Sequence, residues 1–273
     1  MNAQPVQTLT DIKTAKHLRG TILQMIHAGG SGHPGGSFSV LEILTTLFSG
    51  IVKFDPKRPD WADRDRVVLS KGHGVPALYA VLAEVGAIPK DWLMSLRKLG
   101  SPLQGHPDVF RLPVVEAATG SLGQGLSIAQ GMALAQRLDK RSARTYCIVG
   151  DGEIQEGQIW ECALSAPKFK LSNLTVILDY NKGQIDGPTR EIMDLEPITD
   201  KWKSFNWNVL EVDGHDTKAL NKVLRETHPE KPTFIVAQTI KGKGVSFMED
   251  PTEWHGKAPN DAQLAAALKE LQS

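Results

Sequence analysis

Apolar residues at Ile12, Ala15, Leu18, Ile22 and Met25 recur every three or four positions, and this period predicts an amphipathic helix from Asp11 to Ala28. The helix ends at Gly29-Gly30-Ser-Gly-His-Pro-Gly-Gly36, a stretch expected to tolerate neither helix nor strand. The same period predicts helices over Ser39 to Phe48, Pro76 to Val85, Asp91 to Leu99, Gly125 to Leu138, Glu156 to Phe169, Thr217 to Glu226 and Asp261 to Leu271. Between them lie short runs rich in β-branched residues: Arg66 to Ser70, Arg144 to Val149, Leu174 to Tyr180, Asn208 to Val212 and Thr233 to Thr239. Strands alternating with helices imply an α/β fold, a parallel sheet flanked by helices on both faces. With 273 residues, no internal repeat and no linker-like tract, the chain is expected to form a single domain over 1–273.

Composition narrows the function classes. Hydrophobic residues make up 41%, enough for a large core, and 31 Lys+Arg balance 31 Asp+Glu. That balance offers nucleic acid no basic stripe, and no apolar run has the length of a membrane span. Residues 1–7 show no basic segment followed by an apolar one, so no leader is expected there. Cys147 and Cys162 are spaced neither as metal ligands nor as a disulfide framework, which fits a reducing cytoplasm.

The candidate chemistry centres on Gly150-Asp151-Gly152 and on Asn181, thirty positions beyond the Asp. Each follows a predicted strand, so a strand–turn–helix–strand–turn order delivers an Asp and an Asn to one sheet edge. Their oxygens are hard ligands, suited to a Mg²⁺ or Ca²⁺ ion carrying a diphosphate. Two ordinary turns fit the same spacing, since Asp-Gly and Asn-Lys-Gly are good turn formers. Gly30-Ser-Gly-His-Pro-Gly35 spells a dinucleotide-binding pattern, but it follows a helix rather than a strand and so lacks the required context. His33, His73, His106 and His255 each lie beside Gly in loops, where imidazole can bind oxygens and move protons. His17, His27, His215 and His228 lack that context and are read as structural.

Taken in order, Ser31-Gly-His-Pro-Gly35, Ser70-Lys-Gly-His73, Gly105-His-Pro107, Thr119-Gly-Ser-Leu-Gly-Gln-Gly125, the run from Gly150 to Glu161 and Asn181 resemble the transketolase family. The match runs from Asp11 to His255 and covers that family's N-terminal domain. The resemblance implies an N-terminal subunit of a split transketolase. It would bind thiamine diphosphate and Mg²⁺ (Ca²⁺ or Mn²⁺ being able to substitute). It would move a two-carbon ketol unit from a ketose phosphate to an aldose phosphate. On this resemblance Asp151, Asn181 and the carbonyl of Gly183 would hold the metal, while Gly152, Gly120, His73 and His255 would hold the cofactor. Leu122 and Ile185 would flank the thiazolium ring. His33, His106 and His255 would serve proton transfer at the sugar hydroxyls, with pKa values near the working pH. Glu156 would face its twin across a dimer axis, and Glu161 would join a buried acidic network beside the cofactor.

No residue here matches the family's glutamate for the aminopyrimidine, nor the arginines that grip the sugar phosphate. The implied partner is therefore a C-terminal subunit with a pyrimidine-binding and a C-terminal domain, in a two-plus-two heterotetramer. Two alternatives keep the cofactor. One is a 2-oxoacid-decarboxylating component resembling deoxyxylulose phosphate synthase, and the other is a non-catalytic cofactor-binding protein.

Overall fold

The computed structural model describes residues 9–249 and 252–272, so the leader-free reading of residues 1–7 falls outside the described residues. Five strands, β1 (Arg66–Leu69), β2 (Thr145–Gly150), β3 (Leu174–Tyr180), β4 (Asn208–Asp213) and β5 (Thr233–Gln238), form one parallel sheet in the order β1-β2-β3-β5-β4. In register, Cys147 of β2 lies beside Val68 of β1 and Val176 of β3, and Val176 lies beside Phe234 of β5.

Successive strand residues enter two separate cores. Tyr146, Ile148, Ile177, Ile235 and Ala237 pack with α1 (Ile12–Gly29), α3 (Leu41–Thr46) and α4 (Val75–Glu84), together with the short α2 (Pro34–Ser39). Cys147, Val149, Val176, Leu178, Phe234 and Val236 pack on the other face with α5 (Gln124–Leu138), α6 (Gly157–Lys168) and α8 (Ile198–Ser204), which follows α7 (Thr189–Ile192). The central strands β2, β3 and β5 are buried on both faces, which is why they read as near-continuous apolar runs, whereas the edge strand β4 is only partly covered. Helices α9 (Thr217–Val223) and α10 (Asp261–Gln272) complete the helical layers. Both cysteines are free and buried. Among the described residues no helix is long and apolar enough to cross a membrane.

The chain starts and stops α1 as its sequence dictates. Asp11 accepts from Thr14 N at 2.9 Å at one end, and Gly30, at φ 64°, returns its N–H to His27 O at the other. Three expectations need correction. The glycine stretch does admit a helix, because Pro34 presets the first turn of α2. Gly35 has to be bare there, since a Cβ on it would lie 2.8 Å from Trp254 O. The helix expected over Ser39 to Phe48 is divided at Val40 and ends in a π turn, Leu47–Ile51. The segment Asp91 to Leu99 forms a 3₁₀ turn, Lys90–Ser95. Helices α7 and α8 have no periodic signal of their own. Tertiary packing holds α8, where Trp202 stacks on Phe234 with ring centroids 3.7 Å apart.

Parallel pairing sends four strand exits to one edge: Ser70 and Lys71 after β1, Asp151 after β2, Asn181 after β3, and Thr239 to Lys241 after β5. The carboxyl edge of such a sheet is where α/β folds place their ligands.

Candidate functional site

A cavity of about 220 Å³ opens at this edge. It is lined by His33, His73, His106, Gly120, Leu122, Asp151, Gly152, Asn181, Gly183, Ile185 and His255, which brings together all but two of the sequence-derived candidates. The two left out are Glu156 and Glu161, both exposed on or beside α6. The buried acid is instead Glu153, which accepts from Gly123 N and Gly150 N at 3.0 Å each and from Ser70 Oγ. This chain alone does not supply the burial expected for Glu161. Leu122 is half-buried, while Ile185 is 64% exposed at the mouth.

Four imidazoles from distant loops converge. Ring centroids lie 5.3 Å apart for His33 and His73, 6.1 Å for His33 and His106, 5.6 Å for His33 and His255, and 5.3 Å for His73 and His255. Gly120, at φ 137°, makes room for one of them, because a Cβ there would sit 2.7 Å from His106 Cδ2. Each ring is held below its ordinary value. Burial, followed by the Arg97 charge, pushes His33 down to about 4. Burial, followed by Lys241, pushes His255 down to about 3. Burial also holds His73 well below 6.5, with Lys71 adding to it, and lowers His106, with Arg97 adding to it. All four are therefore neutral at pH 7 in the cofactor-free protein. The Lys241 ammonium lies 2.9 Å from His255 Nδ1, and an ammonium can only donate, so His255 carries its proton on Nε2.

The oxygen donors form a second group. Asp151 is 2% exposed; its Oδ1 accepts from Gly152 N at 2.8 Å, and its Oδ2 is buried with no hydrogen-bond partner among the described residues. Burial, followed by the neighbouring Asp179, lifts its carboxyl to about 7. Asn181 Oδ1 accepts from Gly183 N at 3.2 Å. Among the described residues no group of three or more His, Cys, Asp or Glu is arranged to hold a metal. This set has a different chemistry: one carboxylate, one amide oxygen and one carbonyl, with a buried oxygen left open. It fits a small hard cation whose remaining ligands come from an anion or water. Gly152 does not open α6. It precedes a separate 3₁₀ turn, Glu153–Gln155, while Glu156 is the N-cap of α6. The dipole of α6 therefore does not point from Gly152 at the site.

Sequence reasoning missed two lysines and an aspartate. Lys71, 1% exposed, pairs with Asp179 and donates to Gly36 O at 3.0 Å. Asp179 also accepts from Ser39 Oγ at 2.6 Å and from Thr239 Oγ1. Lys241 lines the cavity beside the carbonyls of Gly183 and Gln184, at 3.5 and 3.4 Å. A charge inside the apolar run Leu174–Tyr180 was the available signal for Asp179, and a Lys followed by Gly directly after a strand was the signal for Lys241. His27 and His228, read as structural, have partners elsewhere. His27 Nδ1 lies 2.9 Å from Pro259 O, and His228 Nδ1 accepts from Glu230 N and Lys231 N at 3.1 Å each. His17 is exposed in an open groove between α1 and α10.

Comparison with known proteins identifies the family. The family described as transketolase, thiamine diphosphate binding domain, matches residues 10–272. The chain is 45% identical over 260 residues to the 6-deoxy-6-sulfo-D-fructose transketolase subunit of Clostridium sp. (strain MSTE9), covering 94% of each protein. It is 40% identical over 268 residues to an apulose-4-phosphate transketolase subunit of Phocaeicola vulgatus, covering 97% of this chain and 94% of that one. Transketolase from Leishmania mexicana superposes with a TM-score of 0.89 at 32% identity, over 96% of this chain but only 41% of the other. The chain belongs to the transketolase family and corresponds to its thiamine diphosphate-binding domain.

Proposed function

We propose that this chain is the cofactor-anchoring subunit of a two-subunit transketolase that transfers a ketol unit from a ketose phosphate to an aldose phosphate. The supporting observation is the unpartnered, buried Oδ2 of Asp151 at the edge of a cavity that also presents two lysines and four neutral imidazoles. Asp151, Asn181 and the Gly183 carbonyl would hold Mg²⁺, with Ca²⁺ or Mn²⁺ as substitutes. Lys241, His73, Gly152 and His255 would hold the diphosphate. When bound, thiamine diphosphate supplies the electron sink for breaking a carbon–carbon bond beside a carbonyl. His33 and His106, kept neutral by burial, would accept protons from the sugar hydroxyls or orient them, and His255, with its proton on Nε2, would donate to a sugar oxygen.

A partner is part of the proposal. Two relatives that this chain covers over 94% of their length are themselves named subunits, whereas it spans 41% of the Leishmania transketolase chain. The partner would bring the pyrimidine-binding domain, the carboxylate for the aminopyrimidine and the arginines for the sugar's anionic end. A two-plus-two assembly would leave the exposed Glu156 and Glu161 to face a second copy.

The test is reconstitution. The purified chain alone should show no ketol transfer, and the pair should act on a ketose phosphate and not on pyruvate. Asp151→Ala in the pair should weaken cofactor binding, read by calorimetric titration. Undiminished affinity in that variant would remove the basis of the proposal.

A further inference from the structure

The backbone that carries Lys241 into the cavity is gripped from outside the site. Ile240 N donates to His215 Nε2 at 2.9 Å. With Nε2 accepting, the ring's proton sits on Nδ1, which lies 2.9 Å from Glu42 Oε2. Glu42 is in turn held at both oxygens by Arg19, with Nη1 to Oε1 at 2.8 Å and Nη2 to Oε2 at 2.9 Å. Arg19 and Glu42 are 5% and 6% exposed, so the imidazole is anchored on a buried, bidentate ion pair rather than on a solvated side chain.

The three residues come from α1, α3 and the turn between β4 and α9. That turn presses on the same segment a second time. Gly214 N donates to Gln238 O at 2.7 Å, and a Cβ on Gly214 would collide with Thr239 Cγ2. Beyond Lys241, Gly242 N donates to Gly35 O at 3.1 Å, so Lys241 projects from a backbone pinned on both sides.

We infer that His215 is a positioning residue for the cofactor cavity: backed by Glu42 and Arg19, it fixes the Ile240 peptide so that the neighbouring Lys241 reaches His255 and the diphosphate region. This rests on reading the cavity as the diphosphate site. A long flexible ammonium side chain loses much of its value as an anion ligand when its Cα is free to move, and the outer hydrogen bonds restore that value.

The experiment measures binding of thiamine diphosphate in the presence of Mg²⁺ to the reconstituted pair. His215→Asn keeps a donor for Glu42 but cannot reach Ile240 N, and should weaken binding about tenfold, the scale of one neutral hydrogen bond. His215→Gln places an acceptor near the former Nε2 and should recover most of that loss. In a Lys241→Met background the Asn substitution should add less than about twofold, because its effect passes through Lys241. Equal affinity for the Asn and Gln variants would overturn the inference, as would a loss that persists in full without Lys241. If the unaltered pair bound no cofactor, the reading of the cavity itself would fall, and the inference with it.

Discussion

Replacing Asp151 by Asn should stabilise the cofactor-free protein at alkaline pH while removing its capacity to hold the cation. Burial, followed by Asp179, raises this carboxyl from 3.8 to about 7. The sign follows from proton counting. Between those two values the folded state keeps the proton and the unfolded chain has released it, so stability falls as pH rises from 3.8 to 7 and stays lowered above that. At about 1.4 kcal/mol per unit, a shift of about 3 units amounts to roughly 4 kcal/mol of destabilisation by pH 8. The Asn variant carries no such term. Its Oδ1 can still accept from Gly152 N, but its amide nitrogen replaces the unpartnered Oδ2, at a cost of about 1–3 kcal/mol. That cost does not depend on pH. The stability difference between variant and wild type should therefore move by about 2.5 kcal/mol in favour of the variant between pH 5 and pH 8. Urea denaturation in the presence of a chelator at the two pH values measures it. Adding Mg²⁺ and thiamine diphosphate at about a hundredfold over Kd should then stabilise the wild type by roughly 2.7 kcal/mol and leave the variant unmoved. Parallel pH curves for the two proteins, or equal stabilisation by the cofactor, would refute the reasoning.

Three further outcomes are expected. Asp179→Asn leaves the Lys71 ammonium buried without a counter-charge and should cost about 3–5 kcal/mol in urea denaturation; an unchanged midpoint would contradict the pairing. Gly120→Ala forces a Cβ against His106 Cδ2 and should lower kcat of the reconstituted pair by about tenfold or more, with an unaltered far-ultraviolet circular dichroism spectrum. Because His33 and His255 are held at about 4 and about 3, the unfolded chain takes up protons near 6.5 that the folded chain refuses. Their contribution is intact above pH 6.5 and is lost as pH falls towards 4. This slope opposes that of Asp151, so it should emerge as a weaker acid sensitivity when the two histidines are replaced together by Gln, read as the change in thermal midpoint from pH 7 to pH 5.

The parts of this molecule legible in its sequence are those that close locally. Helix α1 shows its period, its Asp11 cap and its Gly30 stop within a stretch of adjacent residues. Strands β2 and β3 show apolar runs ending at Asp151 and Asn181, which places the oxygen pair on one edge from the sequence alone. The glycine-flanked histidines are recognisable as a set, but not as a cluster. His33 meets His255 only because β5 inserts between β3 and β4, which carries the segment after Gln238 back beside the exit of β3. The same insertion explains the residues that sequence reasoning misses. Asp179 is a burial penalty in its own strand, and Lys71 is another at the end of β1; each becomes favourable only through the other and through Thr239 after β5. His215 reads as structural because its local context carries no motif. Its partners, Glu42 and Ile240 N, belong to segments far away along the chain. A charge placed where its own segment cannot satisfy it is thus the visible trace of a long-range contact. In this chain three such anomalies, at Lys71, Asp179 and Lys241, all resolve at the one cavity edge where an anion and its cation would be needed.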